Sequence, residues 1–332
     1  MAIDQESRES MHSDLKTKKH KTHPWEKFFQ GIEITLYILR WFLQMIYYLC
    51  EDVFRFFFPR QLKSVEKEIV LITGTGHGIG KELAFKYAQA GAIVVGWDFN
   101  KENNENTFKE INEKYGKRGH PYTCDVSNLE DIKATAKKVS EEVGDVTILI
   151  ANAGILYCRQ VQDYTPMEMK KIIDTNVMQL LWLIHVYFPI MVKNSYGHIV
   201  GISSVTGLYA SRNMLPYSCS KYAVRGIMEA LREEIRADKS NKVKTTVIYP
   251  YMVNTGMIKV SRSRFQHFLK MLEPEDVAEG IIAAQRTEME EVSIPGIWRV
   301  VNNVVRILPR KAIKRLIDLL DAGVEPDPID SF

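Results

Sequence analysis

Tyr217 and Lys221 stand four residues apart in Tyr217-Ser218-Cys219-Ser220-Lys221, a spacing that puts both side chains on one face of a helix. A free phenol has a pKa of ~10 and is a poor base at neutral pH. An ammonium within reach stabilises the phenolate, as does the positive charge of an oxidised nicotinamide, and each unit of depression is worth ~1.4 kcal/mol. Such a tyrosine can take the proton of a substrate hydroxyl while a hydride leaves the same carbon for the nicotinamide. Ser204, thirteen residues earlier at the end of an apolar run, would hold that oxygen in line. Taken alone, a Tyr-x-x-x-Lys pair is more often a surface contact. Its meaning depends on what accompanies it.

It is accompanied by Thr73-Gly74-Thr75-Gly76-His77-Gly78-Ile79-Gly80, directly after the apolar run 68–74. A strand, a glycine turn and a helix start make a phosphate cradle, because glycines let backbone N–H groups approach a pyrophosphate and the helix N-terminus adds its dipole. The order Gly74-x-x-x-Gly78-x-Gly80 differs from the G-x-G-x-x-G of most dinucleotide folds. Asp98 follows Gly80 by 18 residues at the end of a second apolar run. It can accept hydrogen bonds from an adenosine ribose and would repel a 2′-phosphate, which favours NAD over NADP; its other reading is an N-cap for a helix starting near Lys101. Asp125 could hold the adenine amino group, although an isolated acid says little.

Something must hold these residues together. Short apolar runs at 68–74, 92–98, 147–154, 198–204 and 245–250, with a shorter one at 121–126, alternate with amphipathic stretches such as 81–91 and 128–144. This predicts an α/β fold: a doubly wound parallel sheet between helices, spanning 64–320, with a C-terminal tail at 321–332. With 332 residues, 45% hydrophobic, the chain has ample core material. A net charge of +3 gives no case for nucleic acid. Cys50, Cys124, Cys158 and Cys219 show no C-x-x-C, which argues against zinc or a disulfide framework and for reduced thiols. No metal site is expected; His20 and His23 read as part of a solvated tail.

The N-terminus has a different character. Residues 1–24 read as a disordered polar tail, and 25–60 as a strongly apolar helix, closed by Pro59, that acts as a membrane anchor. Its polar residues Glu26, Glu33, Arg40, Gln44, Glu51 and Arg55 are separated by 7, 7, 4, 7 and 4 positions. At ~100° per residue they form one stripe within about 60°. Burying Arg40 mid-bilayer would cost at least ~3 kcal/mol. A helix lying in the interface avoids this and is favoured; a true span and a helix packed on a partner protein remain open.

Together these residues resemble the short-chain dehydrogenase/reductase family: Thr73–Gly80, Asp125, Asn152-Ala153-Gly154, Asn176, Ser204, Tyr217 and Lys221 appear in family order. The resemblance implies a Rossmann fold and a catalytic set of Asn176, Ser204, Tyr217 and Lys221, with Asn176 supporting a helix kink and a water-mediated relay from Lys221. It implies a cofactor cleft lined by Gly74, His77, Gly78, Ile79, Gly80, Asp98, Asp125, Val126, Asn152, Ala153, Gly154, Tyr217, Lys221, Pro250, Val253 and Thr255. Segments 250–257, 272–275 and 306–309 look like subfamily 16C, which contains retinol and lipid-droplet 17β-hydroxysteroid dehydrogenases. That resemblance implies a hydrophobic alcohol or carbonyl substrate, an endoplasmic reticulum or lipid-droplet surface and a homodimer, and the lack of an N-x-S/T sequon favours a catalytic domain facing the cytosol. An NADPH-driven carbonyl (retinal) reductase and a catalytically silent droplet-surface protein are the other readings.

Two departures stand out. Ala151 replaces the first Asn of NNAG, and Tyr251 replaces the Gly after Pro250. The substrate loop is expected in 251–274, with Met252, Met257, Phe265, Phe268, Met271 and Leu272 as apolar lining. The basic and apolar stretch at 300–320 reads equally as a second membrane contact or a docked helix.

Overall fold

The computed structural model describes residues 24–58, 60–257, 261–262, 264, 270–321 and 323–326. The tail 1–23, Pro59, Phe265, Phe268 and residues 327–332 lie outside that set. The chain divides into two units, 1–61 and 62–332.

In the first unit, α1 (Pro24–Phe57) is one 34-residue helix. Apolar side chains around it are exposed, among them Trp25, Phe29, Ile38, Trp41 and Phe57. Glu51 pairs with Arg55 one turn on, 3.5 Å, and with Arg60, 3.8 Å.

The second unit alternates as its apolar runs predict. In chain order it has β1 (Ile69–Thr73), α2 (Gly78–Gln89), β2 (Ile93–Asp98), α3 (Lys101–Tyr115), β3 (Gly119–Thr123), α4 (Leu129–Glu142) and β4 (Ile148–Ala151). Then follow α5 (Pro166–Ile173), a π-helical turn (Asp174–Met178), α6 (Gln179–Lys193), β5 (His198–Ile202), α7 (Leu215–Ala237) and β6 (Lys244–Pro250). The two-residue β7 (Ser261–Arg262), α8 (Pro274–Arg286), β8 (Glu291–Ile294), α9 (Ile297–Ile307), α10 (Arg310–Leu320) and β9 (Gly323–Val324) complete it.

Seven strands form one parallel sheet in the order β3-β2-β1-β4-β5-β6-β8. Such sheets are covered on both faces, which is why their strands read as continuous apolar runs. One core, with Leu71, Trp97, Leu149, Leu183 and Val247, lies under α4, α6 and α7, and the other, with Val70, Ile72, Leu83, Ile150 and Ile281, under α2 and α8. The strand order reverses between β1 and β4, and doubly wound sheets bind ligands beyond the carboxyl ends of the strands at that point.

Two local outcomes differ from the sequence reading. β3 begins at Gly119, two residues before the predicted run, because its register is set by pairing Val94↔Gly119 through Asp98↔Thr123. β8 was not expected, since four residues give too little alternation; it becomes a strand by pairing with β6. Among the described residues, the helical stretch long and apolar enough to cross a bilayer is Pro166–Lys193. It packs against β4, β5 and α4, so its greasiness is that of a core helix.

Candidate active site

The glycine turn sits where β1 meets α2. Gly74 and Gly78 have φ of +76° and +59°, the left-handed region that side chains disfavour. Gly80 is required for closeness: a Cβ there would stand 1.9 Å from the Gly74 carbonyl oxygen. The turn is tied down from behind, with Thr75 Oγ1 bonded to Asn104 Oδ1 at 2.6 Å and the Asn104 amide donating to the Gly96 and Tyr122 carbonyls. Asp98 is buried beside it and accepts from the backbone N–H of Gly76 through Oδ2 and of Asn100 through Oδ1, both at 2.8 Å. The N-cap of α3 is Asn100, which accepts from Asn103 N–H, so Asp98 does not take that duty.

The end of β4 is joined to the turn by Thr73, whose Oγ1 accepts from the N–H groups of Asn152 and Ala153, each at 3.0 Å. The Asn152 amide donates to the Thr73 carbonyl at 2.9 Å. Gln179, buried on α6, accepts from Thr73 Oγ1 and donates to the Ala153 carbonyl. Ala151 is a buried core residue paired with Gly201. Without the usual Asn there, Thr73 and Gln179 still stitch β1, β4 and α6 together.

Tyr217 and Lys221 lie in the first two turns of α7, with Lys221 Nζ 5.5 Å from the Tyr217 ring centroid. Ser204 follows β5 and hydrogen-bonds the Tyr217 hydroxyl. Burial pushes the Tyr217 phenol up to about 12, the nearby Cys158 adds to this, and the Ser204 hydrogen bond pulls it partly back. Burial also pulls Lys221 down to about 8. Its Nζ donates to the Ile202 carbonyl at 3.0 Å. In the protein by itself, desolvation therefore outweighs the attraction that the spacing suggested, and the tyrosine carries its proton.

Asn176 sits in the π-helical turn between α5 and α6 and is buried. Such turns bulge a helix outward and recur at functional sites. Its amide donates to the Ile155 carbonyl and to Ser220 Oγ, both 3.0 Å, and its Oδ1 accepts from Ile155 N–H at 2.8 Å. Ser220 Oγ in turn donates to the Tyr217 carbonyl at 2.7 Å. Asn176 thereby locks the post-β4 loop to the helix that carries Tyr217. A Cβ on Gly154 would lie 3.3 Å from Asn176 Oδ1 and 3.5 Å from Lys221 Nζ, so Gly154 keeps the space between them narrow.

One cavity of about 530 Å³ joins these parts. Gly74, His77, Gly78, Ile79, Asp98, Asp125, Val126, Asn152, Ala153 and Gly154 line one end. Ser204, Tyr217, Lys221, Pro250, Val253 and Thr255 line the rest. Gly80 and Asn176 stand behind the wall, not in it. Asp125 is exposed and accepts from Ser127 N–H and Oγ. The sequence reading missed the roof: Trp298, Val301 and Val305 of α9 and Ile313 of α10 line the cavity too. Tyr251 stacks on Trp298, centroids 5.0 Å apart and planes 17° from parallel, with Tyr209 at 6.4 Å on the ring. The amphipathic pattern of α9 was the available signal. Met252 and Met257 line the cavity as expected, and among the described residues Leu272 packs into the core under α8, bridged to Val253.

The glycine cradle, which no Cβ could enter, the buried carboxylate at the end of β2 and the Ser–Tyr–Lys group fit an elongated dinucleotide lying across the strand ends. Residues 68–265 match the model of the short chain dehydrogenase family. The chain is 36% identical to mouse estradiol 17-beta-dehydrogenase 11 over 82% of this chain and 90% of that protein. It is 37% identical to human epidermal retinol dehydrogenase 2 over 79% of this chain and 85% of that protein. In fold it is similar to a short chain dehydrogenase/reductase from Burkholderia phymatum solved with NAD, with a TM-score of 0.66 and 22% identity, covering 81% of this chain and 99% of that one.

Proposed function

This chain belongs to the short chain dehydrogenase family and is an NAD(P)-dependent oxidoreductase, and we propose that it interconverts a hydrophobic alcohol and its carbonyl, a retinol-like or steroid-like lipid, using NAD. The named relatives supply the substrate class. The observation that carries the reading is the gathering of Ser204, Tyr217 and Lys221 on one cavity whose far end is the glycine cradle.

Gly74, Gly78 and the N-terminus of α2 would hold the pyrophosphate, Asp98 the adenosine ribose, and Lys221 with Tyr217 the nicotinamide ribose. When bound, the nicotinamide ring exchanges a hydride with the carbinol carbon. The remaining work is done by the chain. Ser204 holds the substrate oxygen, and Tyr217 Oη takes or returns its proton. Lys221 is mostly charged at neutral pH, given a pKa of about 8, and stabilises the phenolate once it forms. Bringing the phenol from about 12 to near 8 requires about 5 kcal/mol of electrostatic stabilisation, which that ammonium would share with the positive charge of an oxidised nicotinamide. Asn176 fixes the helix register so that this geometry persists, and a water held near it would connect Lys221 to solvent. The apolar roof of Trp298, Val301, Val305 and Ile313 would limit the access of water.

A second reading is net carbonyl reduction, in which the same Tyr217 acts as acid; its protonation state does not choose between the directions. Asp98 would oppose the NADPH form of that reading, since a buried carboxylate at the end of β2 would repel a 2′-phosphate bound beside it. A silent surface protein would have no use for the intact Ser204, Tyr217, Lys221 and Asn176 set. We further assign α1 as an anchor lying in the interface of an endoplasmic reticulum or lipid-droplet surface, which the charged stripe on an otherwise exposed apolar helix supports, and the second unit as cytosolic and dimeric, which rests on the resemblance and on the lack of a glycosylation sequon.

The test is Tyr217→Phe. Expected is a ~10²–10⁴-fold loss of kcat with retinol and steroid alcohols, with NAD affinity lowered only severalfold, since Lys221 and the glycine cradle would still hold the dinucleotide. Equal turnover by wild type and variant across a lipid-alcohol panel would refute the assignment.

A further inference from the structure

α9 turns two different apolar faces outward and inward. At ~100° per residue, the cavity-lining Trp298, Val301 and Val305 occupy one arc. Ile297, Val300, Val304, Ile307 and Leu308 occupy the adjoining arc and are exposed, Ile307 by 82% and Val300 by 56%. The opposite side carries Arg299, Asn303 and Arg306, also exposed. α10 continues the pattern: Ile313 faces the cavity, while Arg310, Lys311, Lys314 and Arg315 are exposed. From 299 to 315 there are six basic residues and no acidic one. A soluble surface seldom displays a contiguous apolar strip of this kind without a partner, and a strip flanked by cations is the pattern of a helix lying in an anionic interface.

From this surface we infer that α9 and α10 form a lipid-docking rim around the substrate cavity, seated on an anionic phospholipid surface, so that the substrate passes from lipid into the site along the α9 wall. The charge complementarity selects the occupant. The helix that meets lipid on one arc lines the cavity on the next, so an apolar alcohol need not cross water between them. This rests on the lipid-alcohol reading above, but docking can be measured without turnover.

The experiment uses the full chain with Cys50 and Cys219 replaced by serine, spin-labelled singly at Val300→Cys, Val304→Cys or Asn303→Cys. It is reconstituted with vesicles of phosphatidylcholine containing one third phosphatidylserine. Labels at 300 and 304 are expected to collide with oxygen more than with a water-soluble nickel chelate, and the label at 303 the reverse. Equal water access at 304 and 303 would overturn the docking, and so would contacts at 304 that appear without vesicles and grow with protein concentration, which would mean a second copy of the chain covers the face. As an independent readout, the triple change Arg306→Glu, Arg310→Glu and Lys314→Glu removes cations worth about fivefold each in surface affinity. It should lower kcat/KM at least tenfold for retinol carried in these vesicles and leave kcat/KM for water-soluble cyclohexanol unchanged. An equal effect on both alcohols would overturn the entry route. If neither alcohol were oxidised by the unmodified chain, the oxidoreductase reading would fail while the label pattern still decided the docking.

Discussion

His198, at the start of the strand that leads to Ser204, supports a specific expectation for acid stability. It is buried in a chain of hydrogen bonds that reaches the surface at Met289. Thr246 Oγ1 donates to the Met289 carbonyl at 2.7 Å, so it accepts from His198 Nε2 at 2.8 Å. Tyr87 donates to Gln285 Oε1 at 3.0 Å, which turns the Gln285 amide N–H₂ toward His198 Nδ1 at 3.3 Å. Each donor meets an acceptor only if the imidazole is neutral. A proton on Nδ1 would face a donor, and turning the Gln285 amide would take the acceptor from the buried Tyr87 hydroxyl. Burial accordingly pulls His198 from 6.5 down to about 4, Lys244 and Lys63 push it the same way, and Glu288 opposes them. An unfolded chain binds this proton below about pH 6.5 and the folded one only below about 4. Stability from this group is therefore complete above pH 6.5 and lost as pH falls toward 4, amounting to about 3 kcal/mol over the window. Against a total of about 5–15 kcal/mol that is a large share. Urea denaturation in a fixed detergent at pH 7.5 and 4.5, for wild type and His198→Gln, checks it. The variant should be weaker at pH 7.5 yet lose about 2–3 kcal/mol less than wild type on acidification. Identical losses, or a His198 NMR titration midpoint near 6.5, would refute the reasoning. An acid limb in the activity profile should then coincide with unfolding.

Other outcomes follow from the site itself. Asp98→Asn removes the charge proposed to face the ribose, and keeps an oxygen for only one of the Gly76 and Asn100 N–H groups that the two carboxylate oxygens now accept, so thermal melting of the variant accompanies its kinetics. The ratio of kcat/KM for NADP to that for NAD should rise about tenfold or more, and an unmoved ratio would mean that Asp98 does not read the ribose. Gly80→Ala drives a methyl against the Gly74 carbonyl, so NAD binding by calorimetry should be lost while Tyr217→Phe retains it. For alcohol oxidation, activity should climb with pH as Tyr217 ionises and stop climbing as Lys221 loses its proton. In the free enzyme Lys221 titrates near 8 and the phenol near 12, so the form with ionised phenol and charged lysine is a minor one and the kcat/KM profile should climb to about pH 8 and then level off, while the kcat profile, with cofactor bound, should be shifted to lower pH. Coincident profiles would show that the cofactor does not retune the pair.

Much of this protein is local information. The glycine spacing of 74, 78 and 80, the four-residue step from Tyr217 to Lys221, and runs such as 69–73 and 93–98 are short-range patterns. Backbone sterics and the 3.6-residue period convert them directly into a turn, a shared helical face and buried strands. The sequence by itself therefore determined the α/β class and which side chains would cluster. It did not determine what burial would do to them. Tyr217 stands high and Lys221 low because burial desolvates both, and desolvation is a property of the assembled site. Tertiary structure alone likewise decided that Gln179 of α6 would join Thr73 to Ala153, that 291–294 would become a strand by meeting β6, and that α9 would roof the cavity with Trp298 against Tyr251. Those contacts join residues far apart in the chain, and no periodicity within either partner records the other.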